Sequence, residues 1–145
     1  MATIVTKVEV ERNADEVFAY VTDPDHFPEW QSNVTSGHLE GGAPVVGAKC
    51  LTTRKIGGRE RDVTSRLTVF DPPRSWAVRG EDGPIRATVK VTVEPISGRD
   101  ASTVTIGLDF EGHGIGKLLV PLIVVPQSRK EMPANLARLK TNLER

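Results

Sequence analysis

Clusters of turn-forming residues divide the middle of the chain between residues 33 and 110. Between these clusters, apolar and polar residues alternate with a period of two, which is typical of strands with one buried face. The clusters are GG at 41–42, GG at 57–58, DPP at 71–73, EDGP at 81–84 and SGRD at 97–100. Short turns join strands that lie side by side in opposite directions. The pattern therefore predicts an antiparallel meander.

Each predicted strand has an apolar face and a polar face. The clearest alternations run over residues 4–10, 85–93 and 104–110. In the less regular stretch 59–70, Val63, Leu67 and Val69 mark one face, and Ser65 interrupts it. We expect a sheet with one face against the core and the other in water.

Two short helices are predicted directly after the first strand. Asn13 precedes the segment ADEVFAYV and is a favoured residue for capping its N-terminus. Asp23 can cap a second turn over DPDHFPEW, where Pro24 occupies the first helical position.

The last part of the chain has the spacing of a long amphipathic helix. Its apolar residues recur at intervals of three or four and are Ile115, Leu118, Leu122, Val125, Met132, Leu136, Leu139 and Leu143. Arg129 falls where this pattern would place an apolar residue. Pro121, Pro126 and Pro133 each remove a backbone donor, so we predict a helix that lies on the sheet and is kinked or broken.

Length and charge narrow the class of protein. The 145 residues suit a single domain spanning 1–145, and 19 basic residues balance 19 acidic ones, so we expect no nucleic-acid partner. The single cysteine, Cys50, has no partner for a disulfide and is expected to be a small buried residue. The apolar run from Leu118 to Pro126 is too short to cross a bilayer, and no signal-peptide pattern precedes the first strand. We expect a cytoplasmic protein without an integral membrane segment.

The order of these elements resembles the START-like or Bet v 1-like (SRPBCC) helix-grip superfamily, and specifically its polyketide cyclase/dehydrase branch. The residues that carry the resemblance are ADEVFAYVTDPDHFPEW at 14–30, VVG at 45–47, GIGKLLVPL at 114–122 and MPANLARLKTNLE at 132–144. The resemblance implies an α+β fold in which a curved antiparallel sheet of about seven strands wraps around the long C-terminal helix. It also implies a cavity between sheet and helix for an apolar or amphipathic ligand.

A cavity of this kind would be lined by the inward residues of the strands and of the helix. The residues expected to contact a ligand are Trp30, Trp76, Val89, Val91, Leu108, Phe110, Leu118, Leu122, Val125 and Arg129. The chain has only seven aromatic residues, so the inward positions are mostly small, and a cavity is easier to leave open. The alternative is a core that these side chains fill completely.

Few residues stand out as candidates for chemistry. His38, Ser65 and Arg129 are the candidates for polar participants in catalysis, whereas His26 and His113 are expected to have surface or structural roles. Arginines on strands usually lie on the wet face, so Arg54 and Arg66 are expected at the surface. No motif for a metal or a nucleotide cofactor is present, and we expect neither.

Three functions are compatible with this sequence. The first is binding or carriage of a small hydrophobic or amphipathic molecule, such as a lipid, a polyketide or an isoprenoid-like compound. The second is a polyketide cyclase, dehydratase or aromatase acting in the same cavity, and the third is a protein-interaction module. The pattern leaves enzymatic activity undecided, and it is compatible with either a monomer or a homodimer.

Overall fold

Seven antiparallel strands form one sheet in the computed structural model, which describes the backbone of residues 2–145 and the side chains of residues 4–145. The strands are β1 (Ala2–Val10), β2 (Val34–Leu39), β3 (Lys49–Ile56), β4 (Arg59–Asp71), β5 (Ser75–Gly80), β6 (Ile85–Pro95) and β7 (Ser102–Gly112). Their order across the sheet is β1-β7-β6-β5-β4-β3-β2. Strands β2 to β7 therefore form the predicted meander, and β1 and β2 are the two edges.

Helices cover the concave face of this curled sheet. They are α1 (Ala14–Val21), α2 (Phe27–Trp30), α3 (Gly116–Leu119) and α4 (Val125–Glu144), with a 3₁₀ turn at Pro24–His26 and a π turn at Val120–Val124. The predicted α+β helix-grip architecture, with its long C-terminal helix, is confirmed. The predicted caps are also present, since Asn13 Oδ1 accepts a bond from the Glu16 amide at 3.0 Å and Asp23 Oδ1 accepts one from the Asp25 amide at 3.0 Å.

The inward faces of the strands follow the predicted alternation in most places. Val91 and Val93 of β6 and Val104 and Ile106 of β7 are each at most 2% exposed. Val69 is an exception at 39% exposed, because the pairing register between β4 and β5 shifts between Leu67 and Val69. A bulge of this kind changes which residues face inward, so the sequence pattern assigned Val69 to the wrong face.

The C-terminal helix is continuous from Gly116 to Glu144, so of the two predicted alternatives, kinked or broken, a break is excluded. Pro121 lies inside the π turn and Pro126 follows it. In this turn the amide of Val125 donates to the carbonyl of Val120, five residues back. A π turn of this type accommodates a local disturbance of the helical ladder without ending the helix.

The π turn accompanies a change of the buried face along the helix. After it, Met132, Leu136 and Leu139 are buried as predicted. Before and through it, the buried residues are Gly116, Val120 and Val124, each four positions from the next. Ile115, Leu118 and Leu122, which the sequence pattern placed in the core, are more than 60% exposed.

Two glycines bring the start of this helix close to the sheet. A Cβ atom on Gly116 would overlap the carbonyl oxygen of Pro84, and one on Gly112 would overlap the carbonyl oxygen of Gly116. Side chains at these positions would force the helix away from the β5–β6 loop. The two glycines thus allow the helix to begin against this end of the sheet.

We predict that Gly116→Ala destabilises the protein by about 1–3 kcal/mol, the usual cost of forcing atoms into a packed site. Gly107→Ala is the matched control, because a Cβ atom there has no neighbour within 4 Å. Urea unfolding of the three proteins measures the difference. Equal free energies of unfolding for the two variants would contradict the tight contact with Pro84.

Candidate functional site

A cavity of about 110 Å³ lies between the concave face of the sheet and the helices α2 and α4. A single water molecule requires about 10–15 Å³ when volume is measured as space open to water centres. The cavity is therefore much larger than an ordinary packing defect and has room for a small ligand.

Aromatic rings form one end of this cavity. Phe27 meets Trp30 edge to face at 5.9 Å between ring centroids, and it meets Trp76 edge to face at 6.1 Å. Elsewhere the wall has smaller side chains, including Ala87 and Val89 of β6. The indole N–H of Trp30 is buried and has no hydrogen-bond partner within residues 2–145. The aromatic end of the cavity therefore contains one donor for which the described chain supplies no acceptor.

Arg54 is the positively charged residue that lines the cavity. It is partly buried on β3, and burial lowers the pKa of its guanidinium below the ordinary value for arginine. Its Nε donates to Thr52 Oγ1 at 3.2 Å and its Nη1 donates to Gln31 Oε1 at 3.1 Å. Neither acceptor is charged, and within the described residues Arg54 has no ion pair with a carboxylate. A guanidinium has five donors, so three remain for another acceptor.

Two further titratable groups belong to the cavity wall. Cys50 is 3% exposed, and burial raises the pKa of its thiol to about 11, so the thiol is protonated near neutral pH. Glu131 of α4 accepts hydrogen bonds from Gln127 Nε2 at 3.1 Å and from Ser32 Oγ at 3.3 Å. The wall therefore combines a guanidinium, a neutral thiol and a carboxylate with mainly apolar surface.

Hydrogen bonds join α4 to the β2–β3 side of the sheet alongside the cavity. Gln127 donates through Nε2 to the carbonyl of Lys55 at 3.0 Å and accepts through Oε1 from the amide of Gly57 at 3.1 Å. One turn and two turns further on, Glu131 and Asn135 bond to Ser32. These bonds are made by the polar side chains of Gln127, Glu131 and Asn135, so this part of α4 forms the polar side of the cavity.

The structure places seven of the residues predicted for the site along the cavity wall. They are Trp30, Ser65, Trp76, Val89, Val91, Leu108 and Phe110. Their positions follow from the alternation of the strands and from the α2 segment. Contact of any of them with a ligand, and a role of Ser65 in catalysis, stay predictions.

The expected placement of five other residues needs correction. Leu118 and Leu122 are exposed on the outer side of the helix, because its buried face before and through the π turn runs through Gly116, Val120 and Val124. Arg129, after the π turn, is also exposed, while Ser128 and Met132 line the cavity. Val125 is half-buried and packs against both hydrophobic clusters of the core without lining the cavity. His38 has a side chain 64% exposed, and it lies 4.0 Å from Asp25 at the surface.

The sequence pattern missed Arg54 as a cavity residue. Cys50, Thr52, Arg54 and Ile56 are alternate residues along β3, and all four side chains line the cavity. This alternation was the available signal that Arg54 faces inward. The alternation was obscured because polar residues occupy both faces of the strand. Arg66 was assigned correctly, since it is exposed and its Nε lies 2.6 Å from Glu81 Oε2. His26 and His113 lie outside the cavity wall and pair with Glu29 and Glu111.

Comparison with known proteins gives the family. The model of the family described as "Polyketide cyclase / dehydrase and lipid transport" matches residues 1–144. The chain belongs to this family. The resemblance to the START-like superfamily and its polyketide cyclase/dehydrase branch is thus confirmed. No curated protein sequence matches the chain at a significant level.

Solved structures with the same fold have low sequence identity to this chain. The di-domain ARO/CYC protein BexL of the BE-7585A biosynthetic pathway is 19% identical with a TM-score of 0.75, and the match covers 99% of this chain and 47% of BexL. The protein TTHA0849 of Thermus thermophilus has a TM-score of 0.78 at 13% identity, over 98% of this chain and 97% of that one. A START superfamily protein of Mycobacterium smegmatis has a TM-score of 0.70 at 17% identity, over 98% and 94%. At these identities the likeness establishes the fold alone.

Residues 2–145 contain neither a membrane-spanning helix nor a metal-binding cluster of side chains. None of the helices described there has the length and apolar character needed to cross a membrane. The same residues contain no group of three or more His, Cys, Asp or Glu side chains placed to hold a metal ion.

The thiol of Cys50 should make stability depend on pH in the alkaline range. Between about pH 9 and pH 11 the unfolded chain loses the thiol proton while the folded chain keeps it, so the free energy of unfolding falls as pH rises. Two pKa units correspond to roughly 2–3 kcal/mol. We predict that the difference in free energy of unfolding between wild type and Cys50→Ala is constant below pH 8 and shrinks by about this amount towards pH 11, as measured by urea unfolding. A difference independent of pH would contradict the burial of this thiol.

Proposed function

We propose that the protein binds an amphipathic small molecule in its cavity, with the apolar body against the aromatic and aliphatic walls and an oxygen anion at Arg54. The observation that carries this proposal is the guanidinium of Arg54, which has no carboxylate partner within the described residues and lines an otherwise largely apolar space. The class of ligand is a carboxylate, an enolate or a phosphate attached to an apolar group.

Electrostatics supports an anionic group at this position. Moving a charged side chain away from water costs free energy unless an opposite charge and hydrogen bonds compensate. Thr52 and Gln31 supply two neutral acceptors to Arg54, but neither supplies charge. An anion on the ligand would supply the charge and accept the remaining donors, and charge-assisted bonds of this kind are roughly twice as strong as neutral ones.

Shape and family support the apolar part of the ligand. The walls around Arg54 are mainly aromatic and branched aliphatic, which suits binding driven by removal of apolar surface from water. The family description includes lipid transport, and one of the structures with the same fold is a START superfamily protein. These findings support a hydrophobic or amphipathic ligand without naming it.

Two fluorescent probes that differ mainly in charge test the proposal. 1-Anilinonaphthalene-8-sulfonate carries a sulfonate, whereas N-phenyl-1-naphthylamine has the same rings and is neutral. We predict that both probes bind to the wild type. Arg54→Gln should lower the affinity for the anionic probe by about tenfold to a hundredfold, which corresponds to the loss of one charge-assisted hydrogen bond, and should leave the affinity for the neutral probe almost unchanged. Fluorescence titration measures both affinities.

Two further variants keep this result interpretable. Arg66→Gln also removes one arginine but at the surface, where Arg66 pairs with Glu81, so it should leave both affinities unchanged. Val89→Phe adds volume inside the cavity and should weaken both probes, which separates cavity binding from adsorption elsewhere. The proposal fails if neither probe binds, or if Arg54→Gln and Arg66→Gln have the same effect.

Glu131 favours a second candidate function, a cyclase or dehydratase acting on a β-keto compound. A carboxylate and a guanidinium line the same cavity, and these two groups are what enolate chemistry requires. The Glu131 carboxylate would take a proton from the carbon between two carbonyls, and the electron pair of that C–H bond would move to a carbonyl oxygen facing Arg54. The fold shared with an ARO/CYC protein is compatible with this candidate.

Exchange of the acidic protons of a β-keto thioester with deuterium from D₂O tests this second candidate. We predict that the protein accelerates the exchange and that Glu131→Gln lowers the rate by about 10²–10⁴-fold, the usual contribution of a general base. NMR follows the loss of the proton signal. Glu60→Gln, on the β3–β4 hairpin and outside the cavity wall, is the matched control. Unchanged exchange in Glu131→Gln would remove this candidate and leave the binding proposal intact.

A further inference from the structure

Three large aliphatic side chains and one arginine form a stripe on the outer side of the C-terminal helix. Ile115, Leu118 and Leu122 are 64%, 63% and 70% exposed, and Arg129, beyond the π turn, is also exposed. We call these four residues the outer stripe. Arg129 is exposed like the three aliphatic residues, so its charge does not enter the core.

Several contacts hold the outer stripe outward. Gly116 is buried against Pro84 and allows no side chain there, and Val120 and Val124 occupy the inner face of the same helix segment. The side-chain amide of Gln127 donates to the carbonyl of Lys55 and accepts from the amide of Gly57, both in the β3–β4 hairpin. Rotation of the helix to bury the leucines would break these contacts, so the exposure of the stripe is a fixed property of the fold.

Positive charge accompanies the outer stripe. Between Glu111 and Glu131, residues 112–130 contain Lys117, Arg129 and Lys130 and no acidic residue. All three cations are exposed, and within the described residues none of them forms an ion pair. The backbone of Lys55, another exposed residue, is close to this helix, because its carbonyl accepts the bond from Gln127.

We propose that the outer stripe docks the protein onto a lipid bilayer that carries anionic headgroups. Protruding aliphatic side chains on a surface helix, flanked by lysine and arginine, are what peripheral binding to such a bilayer requires. The helix does not cross the bilayer in this arrangement and lies along its surface. The inference does not depend on which molecule occupies the cavity.

The charges favour a bilayer over a second copy of the chain. Two stripes facing each other would bring Lys117, Arg129 and Lys130 of both copies together, and like charges oppose association. The bilayer instead offers opposite charge over a wide area and apolar depth for the three aliphatic side chains. The same helix lines the cavity through Val124 and Gln127, so docking would place the ligand site beside the lipid surface.

Sedimentation with lipid vesicles tests the proposal on the full chain. We expect the wild type to bind vesicles of phosphatidylcholine containing one-third phosphatidylglycerol more tightly than vesicles of phosphatidylcholine alone, with binding that weakens as salt is added. Leu118→Gln with Leu122→Gln should reduce the affinity by at least about tenfold, because two inserted side chains are lost. Lys117→Gln with Lys130→Gln should reduce it by about 25-fold, at about fivefold for each charge.

Matched controls come from exposed residues elsewhere. Val45 and Val46 are 59% and 65% exposed in the β2–β3 loop, and Lys7 and Lys90 are exposed on β1 and β6. Val45→Gln with Val46→Gln and Lys7→Gln with Lys90→Gln should each bind vesicles like the wild type. Circular dichroism checks that every variant is folded, which is expected because all the substituted side chains are exposed.

Three results would overturn the proposal. The first is a wild type that does not sediment with the anionic vesicles. The second is an equal loss of binding in the stripe variants and their controls. The third is a wild-type dimer in analytical ultracentrifugation that Leu118→Gln with Leu122→Gln converts to a monomer, since the stripe would then be an interface between copies.

Discussion

The C-terminal helix lies along edge strand β1 of a sheet that does not close on itself, and it is hydrogen-bonded to the segment that precedes the other edge strand, β2. Strands β1 and β2 are the two edges, and an open edge presents unpaired backbone groups. On the β1 side, Lys140 Nζ donates to the carbonyl of Glu9 at 2.9 Å and Glu144 accepts from the amide of Glu11 at 2.9 Å. On the opposite side, Asn135 accepts from the amide of Ser32 at 3.1 Å. The helix is therefore bonded to both sides of the opening in the curled sheet, and the position of the core depends on it.

The same arrangement explains why a cavity exists. Met132, Leu136 and Leu139 fill the space under the second half of the helix, where each is at most 7% exposed. Under the preceding turns the helix contributes Val124, Gln127 and Ser128, which are smaller or more polar than Met132 and the two leucines. The strand that faces these turns, β6, contributes the small side chains of Ala87 and Val89. Larger side chains on either surface would close this space. The cavity is thus a consequence of small residues on two surfaces whose separation is fixed at both edges of the sheet.

Local patterns predicted the parts of the fold that local physics determines. The caps at Asn13 and Asp23 and the inward faces of β6 and β7 follow from short-range sterics, hydrogen bonding and period-two alternation, and the structure has them. Val69 was assigned to the wrong face because a bulge changes the alternation without a clear sequence signal. Arg54 was missed for a different reason, since a cavity removes the rule that inward positions are apolar. Wherever a cavity replaces packed core, polarity stops identifying the inner face of a strand.

The first half of the C-terminal helix shows how one local feature can change both the inside and the outside of a protein. The apolar residues there form two overlapping series, one through Gly116, Val120 and Val124 and the other through Ile115, Leu118 and Leu122, and spacing alone gives no reason to prefer either. The contact of Gly116 with Pro84 decides between them, because only a residue without a side chain can lie there. Once Gly116 faces the sheet, Val124 faces the cavity and the leucines face away from it. The choice of a glycine at one position thus places apolar side chains both in the wall of the cavity and on the surface that borders it.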